Sequence, residues 1–313
     1  MADVLSHKRF HDEQAAYDWV EAHLWPTGAV CPKCKATGER VTKLQGKSTR
    51  IGTYKCKDCR KPFTVKVGTI FEDSHIPMRI WLQAIALMCA SKKGISANQL
   101  HRMSGLTLKS AWFMAHRIRE AMRSGSFASP MGGSGGVVEI DETYIGQRED
   151  VEMTRGPAHK NIVLSLVERG GEVRSFHVDR ADMYTATTLA RANIAKESRV
   201  MTDEAKSYQS LGMTFESHDT VNHSQDEWSR EEQGKPLIHT NTVESYFSVF
   251  KRGMRGTYQH CAEKHLHRYL AEFDFRHNNR IALNINDDER SANALSGVKG
   301  KRLTYRAAGR ERP

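Results

Sequence analysis

The sequence predicts an α/β domain preceded by two smaller modules, one built on cysteines and one on helices. Three observations carry that expectation. From residue 137 onward, β-branched runs alternate with helical patterns in the order strand, hairpin, strand, helix, strand, final helix. Two Cys-x-x-Cys pairs, Cys31–Cys34 and Cys56–Cys59, lie towards the N-terminus. Between these regions Ser124–Gly136 reads SGSFASPMGGSGG, the composition of a flexible linker and the clearest domain boundary in the chain.

Length and charge bound the possibilities. The chain has 313 residues, enough for two or three small domains, with a formal net charge of +10. That charge is unevenly spread. Residues 1–130 hold 21 basic and 10 acidic side chains, residues 131–250 hold 12 and 20, and residues 251–313 hold 14 and 7. Basic ends suit a polyanion, and an acidic centre suits divalent cations. The N-terminus lacks the continuous apolar core of a signal peptide, and the apolar stretch Ile85–Ala90 is far too short to span a bilayer. A cytoplasmic protein with no membrane partner is therefore expected. In a reducing compartment the paired cysteines point to metal rather than disulfides, while Cys89 and Cys261 stand alone in helical patterns and read as core residues.

In chain order, residues 11–24 place Ala15, Trp19 and Leu24 near one face of a short helix that Pro26 stops. Each Cys-x-x-Cys pair can form a tight knuckle that aims two thiolates at one point. Cys31, Cys34, Cys56 and Cys59 then complete a tetrahedral site for one structural Zn²⁺. Arg50–Tyr54 and Phe63–Val67 read as the strands of this ribbon. A redox dithiol is the alternative use of such pairs.

Pro77–Ser91 reads as a helix with Ile80, Ala84, Leu87 and Met88 on its apolar side. Ser96 can cap a second helix, Gly105 makes a turn, and Thr107 can cap a third that runs to about Met122. Three helices with a glycine turn before the last suggest a helix-turn-helix, with Lys109, Arg117, Arg119 and Arg123 on the recognition helix. A plain helical packing unit is the alternative.

In the α/β region, Val137, Val138 and Ile140 form a strand that ends in Asp141. Asn161–Glu168 and Val173–Val178 are strands joined by the turn Arg169-Gly170-Gly171, and Tyr184–Lys196 is a helix. Arg199–Thr202 is a further strand with Asp203 at its end, and Thr220–His223 a fifth. Residues 224–239 are a polar excursion. Asn241–Gly256 is a helix with two stripes, a buried one of Val243, Phe247, Phe250 and Met254 and a polar one of Asn241, Glu244, Ser248, Lys251 and Arg255. Glu263–Arg276 is the helix behind it, and the last residues read as a polar, basic, poorly ordered tail.

This order is that of a ribonuclease-H-like α/β domain, with acids at the ends of its first and fourth strands and on its last helix. Phosphodiester chemistry uses such a cluster, because two Mg²⁺ ions about 3.5–4 Å apart can activate the attacking oxygen and stabilise the leaving one. Other acids compete for notice. Glu139 lies on Asp141's side of a regular strand, and Glu142 and Glu204 directly follow the two aspartates; these are expected to support the site or to be solvated. His223 and His239 are expected to be hydrogen-bonded structural histidines rather than groups near the metals.

The stretches VVEIDETYIG, RVMTDEAKSY, HTNTVESYFSVFKRGMRGTY and HLHRYLAEFDFRHNNR resemble the DDE transposases of bacterial insertion sequences, in the group with an N-terminal zinc ribbon and an ISXO2-like transposase domain. The resemblance spans about residues 10–285. It implies that Asp141, Asp203 and Glu244 bind the catalytic Mg²⁺ ions and that Lys251 touches DNA near the active site. Asn241 is an alternative third ligand, and Asn241 with Glu244 also fits a capping box at a helix start. The implied domains are a helical segment over 1–28, a zinc ribbon over 29–72, a helix-turn-helix DNA-binding domain over 73–123, a linker over 124–136, the ribonuclease-H-like catalytic domain over 137–285 and a basic tail over 286–313. The implied function is cleavage of the element's ends and joining of their 3′-hydroxyls to target double-stranded DNA, by a homo-oligomer that holds both ends. A non-catalytic zinc-ribbon regulator and a metal-dependent nuclease without strand transfer are the alternatives.

Overall fold

The computed structural model describes residues 6–123, 129–149 and 151–304. They divide into two compact units, one of Met1–Ser91, Ile95–Arg123 and Asn286–Pro313, the other of Lys92–Gly94 and Ser124–Ile285.

The first unit begins with helix α1, Glu13–Leu24, whose start is capped by the Asp12 carboxylate accepting from the Ala15 amide at 2.7 Å. Its buried face is Ala16, Tyr17, Val20 and Leu24, one position on from the Ala15 and Trp19 stripe expected from spacing. The ribbon is an antiparallel sheet of β1 (Val41–Lys43), β2 (Tyr54–Cys56) and β3 (Pro62–Phe63). The expected strands Arg50–Tyr54 and Phe63–Val67 are thus displaced and shortened, and β1 lies in a stretch too polar to stand out. Trp25 meets Tyr54 and Phe63 edge-on, which supplies a small apolar layer beside the buried Cys31 and Cys56.

Helix α2, Met78–Ala90, is buried on almost every side, including Trp81, Ile85 and Cys89. Helix α3, Ala97–Ser104, starts in a capping box between Ser96 and Gln99 and stops at Gly105, where φ is +69°. Helix α4, Leu108–Met122, is capped by the Thr107 hydroxyl. The structure corrects the assignment of its basic residues. Arg117 is buried and donates to the carbonyls of Ile70 (2.8 Å), Glu72 (2.9 Å) and Leu303 (3.1 Å), and Arg119 is buried too. Only the ends of α4, with Lys109 and Arg123, present exposed cations.

The second unit is a mixed α/β unit around a five-stranded sheet of order β6-β5-β4-β7-β8. Its strands are β4 (Val137–Ile145), β5 (Asn161–Glu168), β6 (Val173–Val178), β7 (Arg199–Asp203) and β8 (Ser217–Val221). β4, β5 and β6 are antiparallel, while β7 runs parallel to β4 and β8 parallel to β7. Helix α5, Met183–Asn193, covers one face with Ala186 and Ala190 against Val138, Ile140, Leu164 and Val200. Helices α6 (Asn241–Gly253) and α7 (Leu266–Asn278) cover the other, with Val243, Phe247, Phe250 and Phe273 against Ile145, Val163 and Val167. The side-chain period of two along β4 therefore sends Val138 and Ile140 to α5, and Glu139, Asp141 and Ile145 to α6. Gly253 permits the close approach of α6 to α7, since a Cβ there would lie 2.4 Å from Phe273. A π-helical turn, Met254–Tyr258, replaces the expected last turn of α6. Cys261 lies between this turn and α7, partly buried, rather than within a helix.

Two expectations change at the ends of this unit. Of the linker, residues 124–128 lie outside the described residues, but the rest is docked. The Met131 amide donates to Asn193 and its carbonyl accepts from Ala195, and Gly132 at φ +79° leaves no room for a Cβ beside Ser198. The stretch 286–304 is not a disordered tail. Asn286 and Glu289 make a capping box for helix α8, Asp287–Ser296, and Ala294, Leu295 and Val298 are buried in the first unit. Its three acidic residues in the first turn suit a helix N-terminus, and the surrounding polar composition hid the few apolar residues that dock it.

Candidate active site and metal centre

The four cysteines converge as the spacing requires. Cys31 and Cys59 sulfurs are 3.7 Å apart, those of Cys34 and Cys56 are 3.4 Å apart, and all four lie within 4.8 Å of one another. Zinc–sulfur bonds of about 2.3 Å in a tetrahedron need sulfur separations of about 3.8 Å, so the quartet fits that ion. The knuckles repeat one another. Cys31 N–H donates to Ala36 and Cys56 N–H to Lys61, five residues on in each case, and the residues after the second cysteines, Lys35 and Arg60, take φ of 63° and 58°. Burial opposes ionisation of Cys31, but amide hydrogen bonds at Cys34 and Lys33 outweigh it and lower the thiol to about 6.

The acids come together from three elements of the second unit. Asp141 stands on β4 opposite Ser165 of β5, and Asp203 ends the parallel neighbour β7. Glu244 sits in the first turn of α6, on the face that also carries Lys251 two turns later. Burial, and after it the charges of Glu142, Asp203 and Glu244, push the Asp141 carboxyl up to about 8. Burial also raises Asp203, against the Ala205 amide that donates to its Oδ1 at 3.0 Å. Carboxylates crowded in this way are relieved by a hard cation, so their donor chemistry fits Mg²⁺. They are more widely set than the thiolates. Among the described residues, the cysteines are the group of three or more His, Cys, Asp or Glu ligands that closes within 4.8 Å. Lys251 Nζ lies 5.9 Å from the centre of the Phe247 ring.

The neighbouring acids sort into distinct tasks. Glu142 accepts from the Tyr208 hydroxyl on the α5 side of the sheet, and burial raises its carboxyl. Glu204 turns away to accept from the Ser224 hydroxyl (2.5 Å) and the amides of His223 and Ser224, which pull it down to about 2. Glu139 is fully buried. Its Oε2 accepts from the amides of Thr242 (2.8 Å) and Val243 (2.9 Å), and its Oε1 from Arg169 Nε (2.6 Å) and the Thr242 hydroxyl (2.8 Å).

The start of α6 also departs from expectation. Its N-cap is Thr240 and Asn241 is its first helical residue, so Asn241 and Glu244 do not form a capping box. The Thr240 hydroxyl instead donates to Glu244 Oε1 at 2.8 Å, and the Asn241 amide donates to His239 Nδ1 at 3.2 Å. His223, expected to be a structural histidine, has Nε2 3.5 Å from Glu244 Oε1, and its ring is tilted against that of Trp228 with centroids 5.0 Å apart. Sequence reasoning saw Arg169 only as a turn residue and did not single out Thr240 or Tyr208. The signal available for Glu139 was its parity with Asp141, which places both on one face of β4.

No helix among the described residues is long and apolar enough to cross a membrane. Residues 134–278 match the family of ISXO2-like transposase domains, and residues 11–62 match the transposase zinc-ribbon domain. An uncharacterized protein in transposable element ISH50 of Halobacterium salinarum is 26% identical over 286 residues, which cover 86% of this chain and 92% of the relative. A chain in the cryoEM structure of the simian T-cell lymphotropic virus intasome, in complex with PP2A regulatory subunit B56 gamma, aligns over 56% of this chain and 63% of its own. Its identity is 14% and its TM-score 0.28, a likeness too low to carry an argument.

Proposed function

From the premise that the chain carries an ISXO2-like transposase domain and a transposase zinc ribbon, we propose that it cuts the ends of an insertion sequence and joins them to target DNA. The second unit acts as a ribonuclease-H-like catalytic domain. The observation that carries this reading is the meeting of Asp141, Asp203 and Glu244, with the Asp141 carboxyl lifted to about 8 by burial and by its acidic neighbours. Such a site stores unfavourable charge that a cation removes.

Asp141, Asp203 and Glu244 would hold the two Mg²⁺ ions. When bound, the ions would supply Lewis-acid activation of the attacking oxygen and stabilisation of the leaving one. Water attacks the phosphodiester at the element's end and the bond to the departing oxygen breaks, leaving a 3′-hydroxyl. That hydroxyl then attacks a target phosphodiester in line and displaces the target's own 3′-oxygen. Thr240 orients Glu244, and Lys251, on the same face of α6, contacts a backbone phosphate near the scissile bond. The first unit, with its ribbon and the α3–α4 pair, binds the element's terminal repeats through the ends of α4. A homo-oligomer holds the two ends together.

The test supplies end DNA and Mg²⁺ to the full chain and resolves the products. Joined strands are the expected outcome. Nicked ends without joining would make it a nuclease, and binding without cleavage would make it a regulator.

A further inference from the structure

We propose that Glu139 and Arg169 form a positioning pair that sets the distance between Asp141 and Glu244 and releases Thr240 to orient Glu244. The inference rests on the metal-site reading above and deepens it.

A helix start leaves its first amides without intrahelical partners, and the N-cap side chain ordinarily accepts from one of them. Thr240 is a residue type suited to that task, yet it makes no such bond. Its hydroxyl donates to Glu244 Oε1 at 2.8 Å. The cap is provided from elsewhere in the chain, by Glu139 of β4, which takes the amides of Thr242 and Val243 on one carboxylate oxygen. A carboxylate also suits the positive end of the α6 dipole.

Glu139 lies two residues before Asp141 on the same face of β4, and Thr242 lies two residues before Glu244 on α6. One buried carboxylate therefore ties the strand that carries the first acid to the helix that carries the third. Arg169, from the β5–β6 turn, completes the arrangement. Besides Glu139 it donates to the carbonyls of Leu237 (2.6 Å) and His239 (2.9 Å), which hold the chain entering α6. A buried carboxylate is costly without such partners, and here its bonds to Thr242 and Val243 fix the register of α6 against β4.

The experiment uses the full chain and four substitutions. Glu139→Gln keeps the volume but turns an acceptor into an amide donor that competes with Arg169 and the α6 amides. Thr240→Val removes the hydroxyl on Glu244 and leaves the buried pair intact, which covers the case in which Glu139→Gln does not fold. Asp141→Asn and Glu244→Gln are the reference changes. Binding of Mn²⁺ is measured directly by spin resonance without DNA, beside cleavage rate, end binding and melting temperature.

The expected result is a rise of about 10–100-fold in the Mn²⁺ dissociation constant and a comparable fall in cleavage rate for both Glu139→Gln and Thr240→Val, with end binding unchanged. If both bind Mn²⁺ and cleave like the parent per folded molecule, with only the melting temperature lowered, the pair is a structural brace and the proposal is overturned. If Asp141→Asn and Glu244→Gln themselves keep Mn²⁺ binding and cleavage, the metal-site reading fails first and takes the positioning role with it.

Discussion

The cysteine quartet and the acidic cluster are both sets of metal-type ligands, and the chain assembles them in opposite ways. Each pair of cysteines is brought together by its own knuckle, within a few residues, and the four sulfurs close within 4.8 Å. The acids come from β4, β7 and α6, spread over about a hundred residues of sequence, and they stand further apart. Soft thiolates on tight turns can preform a tetrahedral site with little help. Carboxylates of one sign repel each other, so their placement depends on a scaffold that tolerates the repulsion. The ribbon's ligands are placed by local turns, whereas the acids are placed by the register of a five-stranded sheet and the helix packed on it.

The sharpest way to break this comparison is to remove one ligand from each site. Asp141→Asn, Asp203→Asn or Glu244→Gln should abolish cleavage and joining while folding and end binding stay near normal, read by strand-transfer gels beside thermal melts. Cys34→Ser or chelation should instead unfold the ribbon and weaken end binding, with the second unit still folded; zinc content and limited proteolysis report it. A ribbon that kept its fold without zinc would erase the contrast.

A smaller effect concerns the first unit as a whole. A fragment ending at residue 130 reads from sequence as a self-sufficient DNA-binding piece. It lacks Leu295 and Val298, both fully buried, so it should melt without cooperativity. Supplying residues 286–304 should recover about 2–3 kcal/mol for each large apolar side chain restored, measured by urea titration.

Acidity separates the two sites again. The Asp141 carboxyl titrates near 8 when folded against about 3.9 unfolded, so the native state binds the extra proton between those values. Stability should therefore fall as pH rises from about 4 to 8, and be fully present below the unfolded value. In chelator at pH 8, Asp141→Asn should be more stable than the parent by on the order of 2 kcal/mol, a gain that vanishes near pH 4.

The smallest effects belong to the polar stripe of α6. Lys251→Ala should lower the slope of log affinity against log salt by about 1 and slow cleavage modestly. Asn241→Ala should change little, since its exposed side chain follows the N-cap; a dead Asn241→Ala beside an active Glu244→Gln would move the third ligand to Asn241.

Much of this molecule is written in local pattern. Cys31, Cys34, Cys56 and Cys59 announce their site by spacing, and the two stripes of α6 follow from its period. The β5 and β6 strands were legible because β-branched runs flank a glycine turn, whereas β4 runs on through Asp141 to Ile145 and β8 begins three residues before the expected Thr220. What the sequence could not show depends on meetings across distance. Glu139 looks like a spare acid until the β4 register aims it at the α6 amides. Arg117 and Arg119 look like a DNA-reading pair until α4 is seen to bury them. The segment after residue 285 looks like a tail until α8 docks Leu295 and Val298. Sequence by itself determined the strongly periodic helices and the cysteine quartet, because hydrophobic period and ligand spacing are short-range. Tertiary structure alone decided which charges are buried and paired, because that depends on partners that spacing along the chain does not encode.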